Sequence, residues 1–191
     1  NNALTAGDVG YRYVLRALEA GGASDVIYDM NCKYDTPGYG WQLAHGATAL
    51  TESWQAYGFV SNNHFMLGHL MEWLFSGLGG IRQQEDSFGF KHIVIKPEPV
   101  GDVREANASY ESPYGRIVSD WKDNEKEFTI RVEVPANSRA SVYLPSADAA
   151  QITESGIRLQ DIPSIEYRKE GDKYTVITIG SGIYTYHIKK P

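Results

Sequence analysis

Glu52 and His64 stand in a largely apolar and aromatic passage, GATALTESWQAYGFVSNNHFMLGHLMEW, which runs from Gly46 to Trp73 and also holds His69 and Glu72. A carboxylate and an imidazole are side chains that can take or give a proton near neutral pH. Trp41, Trp54 and Tyr39 lie close to Glu52 in the chain, so the passage holds the parts of a polar cluster inside an aromatic-lined pocket. Aromatic walls with a few carboxylates suit a sugar, because pyranose C–H faces stack on rings while hydroxyls take up hydrogen bonds. Plainer readings stand beside this one. A glutamate at a helix end is ordinarily solvated, and a core histidine can use its ring N–H to cap a carbonyl. His69 and Glu72 are spaced i, i+3 and pair with each other; a metal site would need two further ligands that the neighbouring sequence lacks. No metal and no cofactor is therefore expected.

The elements that carry these residues read as helical up to about Gly80. Thr5 and Asp8 have the spacing of a capping box, opening a helix whose apolar positions Val9, Tyr13, Val14, Ala17 and Leu18 follow a 3.6-residue period until Gly21 and Gly22 stop it. After the turn PGYG at 37–40, Trp41, Leu43, Ala44, Ala47 and Leu50 form a second stripe that closes near Trp54, which places Glu52 in its last turn. Ser61 or Asn62 caps a third helix with His64 in its first turn. Its residues Phe65 to Leu78 are apolar almost all round, so it wants burial on most sides. Two neighbours cannot supply that burial, and the missing partners are expected upstream. Asp25, Asp29 and Asp35 read as acidic loop residues around Cys32.

After Gly89 the period changes to two. Short runs rich in β-branched and aromatic residues, at 90–96, 115–121, 127–134, 139–144, 173–179 and 183–188, are bounded by Pro, Gly or Asn/Asp clusters. They indicate an antiparallel β-sandwich or roll that can fold on its own, with hairpin turns at Glu154-Ser155-Gly156 and Glu170-Gly171-Asp172. The chain is thus expected to divide into a helical portion, 1–85, and a β-sandwich domain, 86–191. Tyr110, Glu111 and Tyr114 fall at a tight turn that reads as a rigid hairpin, with a sugar-contacting loop as the alternative. Asn107-Ala108-Ser109 fits a glycosylation sequon, a triplet common by chance.

Bulk properties narrow the function classes. The 191 residues are 42% apolar, which suits a packed core. A net charge of -6 with dispersed Lys and Arg argues against a phosphate-binding surface and hence against nucleic acid. Phe65 to Leu78 is too short and too interrupted by Gly68, His69 and Glu72 for a membrane span, so the chain reads as soluble. A single cysteine, Cys32, excludes an internal disulfide and a Cys-based metal cluster. The sequence opens Asn1-Asn2-Ala3-Leu4 without a start methionine or leader pattern, as expected of a piece of a longer polypeptide.

The ordered motifs resemble the C-terminal portion of bacterial α-L-rhamnosidases of glycoside hydrolase family seventy-eight. PGYGWQLAHGATALTESW at 37–54 looks like the family's Gly-Ala-Thr-Thr segment ending in Glu-x-Trp, and SNNH at 61–64 looks like its Ser-x-Asn-His. IVIKPEP at 93–99, YESPYGRI at 110–117 and VPANSRASVYLP at 134–145 resemble strands of its C-terminal β-domain. The resemblance implies that the first half closes an (α/α)6 barrel and the second is an accessory β-sandwich. It further implies an inverting hydrolase of terminal α-L-rhamnose, with Glu52 as general base, His64 touching the sugar, and Trp41, Trp54 and Tyr39 around it. Implied partners are a rhamnose-containing carbohydrate and the remainder of the parent polypeptide. The chain departs from the family at Ala49, where a second Thr is common, and in the short link 55–60. The family's general acid has no counterpart here, so the chain alone is expected to be inactive. Rival readings are a non-catalytic carbohydrate-binding β-domain using Tyr110, Tyr114 and Trp121, or an (α/α)6 glycosidase for another sugar.

Overall fold

A computed structural model describes residues 2–190, which divide into two compact units, one ending at Leu74 and the other beginning at Phe75. In the first unit, helix α1 spans Asp8–Ala20 and buries Tyr11 and Leu15 one turn apart. It ends in a Schellman motif: the Gly22 N–H donates to the Glu19 carbonyl at 3.0 Å and the Ala23 N–H to that of Leu18 at 2.9 Å. Gly22 occupies the left-handed region, φ 68°, that this motif requires. The expected capping box does not form. The helix opens after Gly7, so Asp8 is its first residue rather than its third and cannot reach back to Thr5.

Helix α2, Ser24–Asn31, replaces the acidic loop expected before Cys32. Ile27 and Met30, spaced i, i+3, supply its buried face, and buried Ser24 accepts a hydrogen bond from the Trp73 indole at 2.9 Å. Asp29 on this helix accepts from Lys33 Nζ at 3.2 Å and Asn2 Nδ2 at 2.9 Å, partners that hold its carboxyl below the usual range.

Helix α3 is short, Tyr39–Ala44. It stops at His45 because Gly46 turns left-handed, φ 80°, and the Ala47 N–H returns to the Gln42 carbonyl at 2.9 Å. The second stripe therefore does not continue to Trp54. Glu52 lies in a loop, not in a last helical turn.

The third helical stretch is irregular. A 3-10 turn at Phe65–His69 leads into one α-turn, α4, Leu70–Trp73, and a π-turn over Leu74–Leu78. His64, not Ser61 or Asn62, precedes it as the N-cap, and no side chain caps it. Leu67 and Trp73 are buried, whereas Phe65 is 84% exposed and Met71 54%, so the expected burial on most sides is not met within this chain.

The second unit is two stacked sheets. Its strands are β1 Ile81–Gln83, β2 His92–Ile95, β3 Glu105–Ser112, β4 Gly115–Asp123, β5 Glu127–Val134, β6 Arg139–Leu144, β7 Ile152–Glu154, β8 Ile157–Arg158, β9 Glu166–Glu170, β10 Tyr174–Ile179 and β11 Gly182–Lys189. One sheet has the order β1-β2-β6-β10-β9 and the other β3-β4-β5-β11-β7-β8. Strict alternation drives this: Phe128, Ile130, Val132 and Val134 of β5 all face inward. They meet Ile117 and Trp121 of β4, Tyr186 and Ile188 of β11, and Ile95, Val142, Leu144 and Ile177 of the facing sheet in one core. The Trp121 ring stacks on Phe128 at 5.9 Å, and its Nε1 donates to the Leu78 carbonyl at 2.8 Å.

One pairing breaks the expected antiparallel pattern. β2 and β6 run parallel, His92 opposite Arg139 through Ile95 opposite Val142. The chain between them crosses to the other sheet to build β3, β4 and β5 and returns in the original direction. The hairpin turns at Ser155-Gly156 and Gly171-Asp172 form as expected, Ser155 and Gly156 both with positive φ. Trp121 is 1% exposed and is core, not part of a surface platform.

Candidate active site

The loop that carries Glu52 is tied by a short backbone ladder. The Glu52 N–H donates to the Ser61 carbonyl at 2.8 Å, and the His64 N–H donates to that of Leu50 at 2.7 Å. Glu52 and His64 thus sit on two adjacent chain segments, although twelve residues separate them in sequence. Just before Glu52 the Thr51 hydroxyl donates to the Ser53 carbonyl at 2.6 Å, and between Glu52 and His64 the residue Ala56, at φ 56°, turns the chain towards an exposed tip. There Tyr57 and Phe59 stack at 5.2 Å.

The Glu52 side chain is exposed, and its Oε2 accepts from the Ser61 N–H at 3.1 Å. One carboxylate oxygen is held by an amide, and the other has no hydrogen-bond partner among the described residues. A base that must take a proton from water needs that combination of fixed orientation and a free lone pair.

His64 is half-buried, and its Nε2 lies 2.8 Å from Asp8 Oδ2. Asp8 opens α1, where its Oδ1 accepts from the Val9 N–H at 2.8 Å. The hydrogen bond with His64, then that with Val9, holds the Asp8 carboxyl below its usual range. Sequence reading did not assign Asp8 to the site. The signal was present, an acidic residue before an amphipathic stripe, but the cap assignment absorbed it.

The three aromatic candidates occupy different positions. Trp54 is 6% exposed, donates through Nε1 to the Ala6 carbonyl at 2.7 Å, and packs edge-on against Tyr11 at 5.0 Å and Tyr39 at 5.1 Å. The Tyr39 hydroxyl donates to the Leu67 carbonyl, and burial pushes its pKa up to about 12, so it stays a neutral donor. Tyr11 donates to Asn31 Oδ1 at 2.7 Å, and burial pushes its pKa up as well. These rings form one packed cluster with their polar ends tied down. Trp41 is half-exposed beside the Glu52 loop, with Nε1 3.3 Å from the Gln55 carbonyl and its ring stacked on His45 at 4.0 Å.

His69 and Glu72 pair at 3.5 Å as their spacing indicates, while Arg12 binds the same Glu72 oxygen more closely, at 2.7 Å. No group of three or more potential metal ligands occurs among the described residues, and no helix there is long and apolar enough to cross a membrane.

Comparison with known sequences matches two consecutive domains. Residues 1–78 match the bacterial alpha-L-rhamnosidase 6 hairpin glycosidase domain, and residues 80–158 match the bacterial alpha-L-rhamnosidase C-terminal domain. The chain belongs to the bacterial α-L-rhamnosidase family. An alpha-L-rhamnosidase of Streptomyces avermitilis is 27% identical over 97% of this chain and 18% of its own length. One from Formosa agariphila is 25% identical over 99% of the chain and 21% of its own length. Among solved structures, the α-L-rhamnosidase of Dictyoglumus thermophilum superposes with a TM-score of 0.86 at 30% identity, covering 99% of this chain and 21% of that one. The Streptomyces avermitilis α-L-rhamnosidase complexed with L-rhamnose shares the fold, with a TM-score of 0.85 at 24% identity over 98% of this chain and 18% of that one. This rhamnosidase-family chain therefore spans about a fifth of the length of the relatives it matches.

Proposed function

We propose that this chain works within a longer inverting glycoside hydrolase that releases terminal α-linked L-rhamnose from glycans or glycosides. In this reading the helical unit is the closing portion of an (α/α)6 barrel and the β-sandwich is accessory to it. The observation that carries the mechanism is Glu52, whose carboxylate is oriented by the Ser61 N–H and open on its other oxygen. Glu52 takes a proton from water, which attacks the anomeric carbon on the face opposite the leaving group. A general acid from elsewhere in the longer polypeptide protonates the departing oxygen. Inversion requires the two carboxyl groups about 6.5–9.5 Å apart, leaving room for that water. His64 holds a sugar hydroxyl, half-exposed Trp41 offers the stacking face, and Trp54 and Tyr39 form the rigid wall behind it.

The exposed apolar side chains of the helical unit support membership in a larger assembly: Phe59, Phe65 and Met71 lack the cover such residues need. Proton NMR of an aryl α-L-rhamnoside digest tests the stereochemistry. The longer enzyme should first release β-L-rhamnose, and the isolated chain should release none. First release of the α-anomer, or turnover by the chain alone, contradicts this mechanism. A related sugar in place of rhamnose would show as turnover of a different aryl glycoside with the rhamnoside untouched.

A further inference from the structure

We propose that Asp8 is a positioning residue for His64, fixing which ring nitrogen faces the sugar. The inference rests on the reading of His64 as a sugar contact. Asp8 is ionised at neutral pH, its carboxyl being held below the usual range, so its oxygens only accept hydrogen bonds. A hydrogen bond of 2.8 Å between Asp8 Oδ2 and His64 Nε2 therefore places the ring proton on Nε2. In the neutral imidazole, Nδ1 then carries a bare lone pair, and no described residue occupies it. What Nδ1 can bind is a donor, and a sugar hydroxyl is one.

The geometry that enforces this is fixed at both ends. The His64 N–H is pinned to the Leu50 carbonyl at 2.7 Å. Asp8 Oδ1 is pinned by the Val9 N–H at 2.8 Å in the first turn of α1, a helix anchored by buried Tyr11 and Leu15. The helix N-terminus also favours the carboxylate charge. Asp8 thus works on the imidazole as a carboxylate works on a metal-ligating histidine: it sets the tautomer and holds the ring plane.

The test is a double-mutant cycle in the longer enzyme on an aryl α-L-rhamnoside, using Asp8→Asn, which keeps shape but can donate as well as accept, and His64→Ala. Asp8→Asn should raise KM about tenfold and leave kcat within about twofold, because binding is weakened and the proton-transfer groups are untouched. His64→Ala should raise KM at least as much, and the double variant should be no worse than His64→Ala, since Asp8 acts only through that ring. Asp8→Glu, which keeps the acceptor, should recover part of the loss. Additive effects in the double variant, or an unchanged KM for Asp8→Asn beside a raised KM for His64→Ala, overturn the positioning role while leaving His64 as a sugar contact. An unchanged KM for His64→Ala overturns both.

Discussion

The β-sandwich unit and the helical unit differ in where their apolar residues find partners. In the sandwich, the inward residues of β4, β5, β6, β10 and β11 meet one another in a single core. In the helical unit, Tyr11, Leu15, Ile27, Trp54, Leu67 and Trp73 are buried, but Val9, Tyr13, Leu43, Phe59, Phe65 and Met71 face solvent. The sandwich has a single core of its own, with Phe88, Ile157 and Ile183 left exposed at its surface, whereas the helical unit keeps the candidate loop on elements whose outer faces are uncovered. Units that are self-sufficient specify themselves locally; a unit built to pack into something larger does not.

The strongest way to break this comparison is to damage the sandwich core. Trp121→Ala removes a buried indole, its stacking on Phe128 and its hydrogen bond to Leu78. It should cost about 3–5 kcal/mol, read as a lower denaturant midpoint. Gly80→Ala comes next. Gly80 sits at φ 74°, and an added Cβ would lie 2.2 Å from the Pro97 nitrogen, so the backbone must shift. A loss of about 2 kcal/mol is expected by the same measurement.

The contrast sharpens at Phe65, which is 84% exposed. Phe65→Ser should change the stability of this chain by less than about 0.5 kcal/mol. The same substitution in the longer enzyme should lower its melting temperature, because the proposed barrel would cover the ring there. An equal effect in both would contradict the account of the uncovered face.

The smallest effect concerns pH. Folding lowers the Asp8 pKa below its ordinary value of 3.8, so Asp8 adds stability that is fully present above that value and is lost as pH falls through the folded one. Acid titration of stability below about pH 4 should therefore be shallower in Asp8→Asn than in the unchanged chain.

The two units were also unequally legible in the sequence. β5 and β6 fall where the two-residue period puts them, 127–134 and 139–144, because each strand's inward face meets partners in the same unit. The parallel β2–β6 pair was not legible, since direction depends on a crossover rather than on any local pattern. In the helical unit the periodicity does not give the elements that carry the candidate residues. The period of the stripe from Trp41 to Leu50 predicts a helix reaching Glu52, yet Gly46 ends that helix at Ala44. Helix α2 is hidden by Asp25 and Asp29, which read as loop residues, whereas Asp35 does lie in a loop. Asp8 pairs with a histidine 56 positions away, a contact that no local spacing encodes.

The central claim is that Glu52 is the base. It is tested most directly by comparing hydrolysis of an aryl α-L-rhamnoside by the longer enzyme with and without Glu52→Gln, which keeps the shape and removes the basic oxygen. The account predicts a fall in kcat of about 10²-fold or more with melting temperature unchanged. Turnover equal to that of the unsubstituted enzyme would contradict it and leave Glu52 as an exposed loop residue.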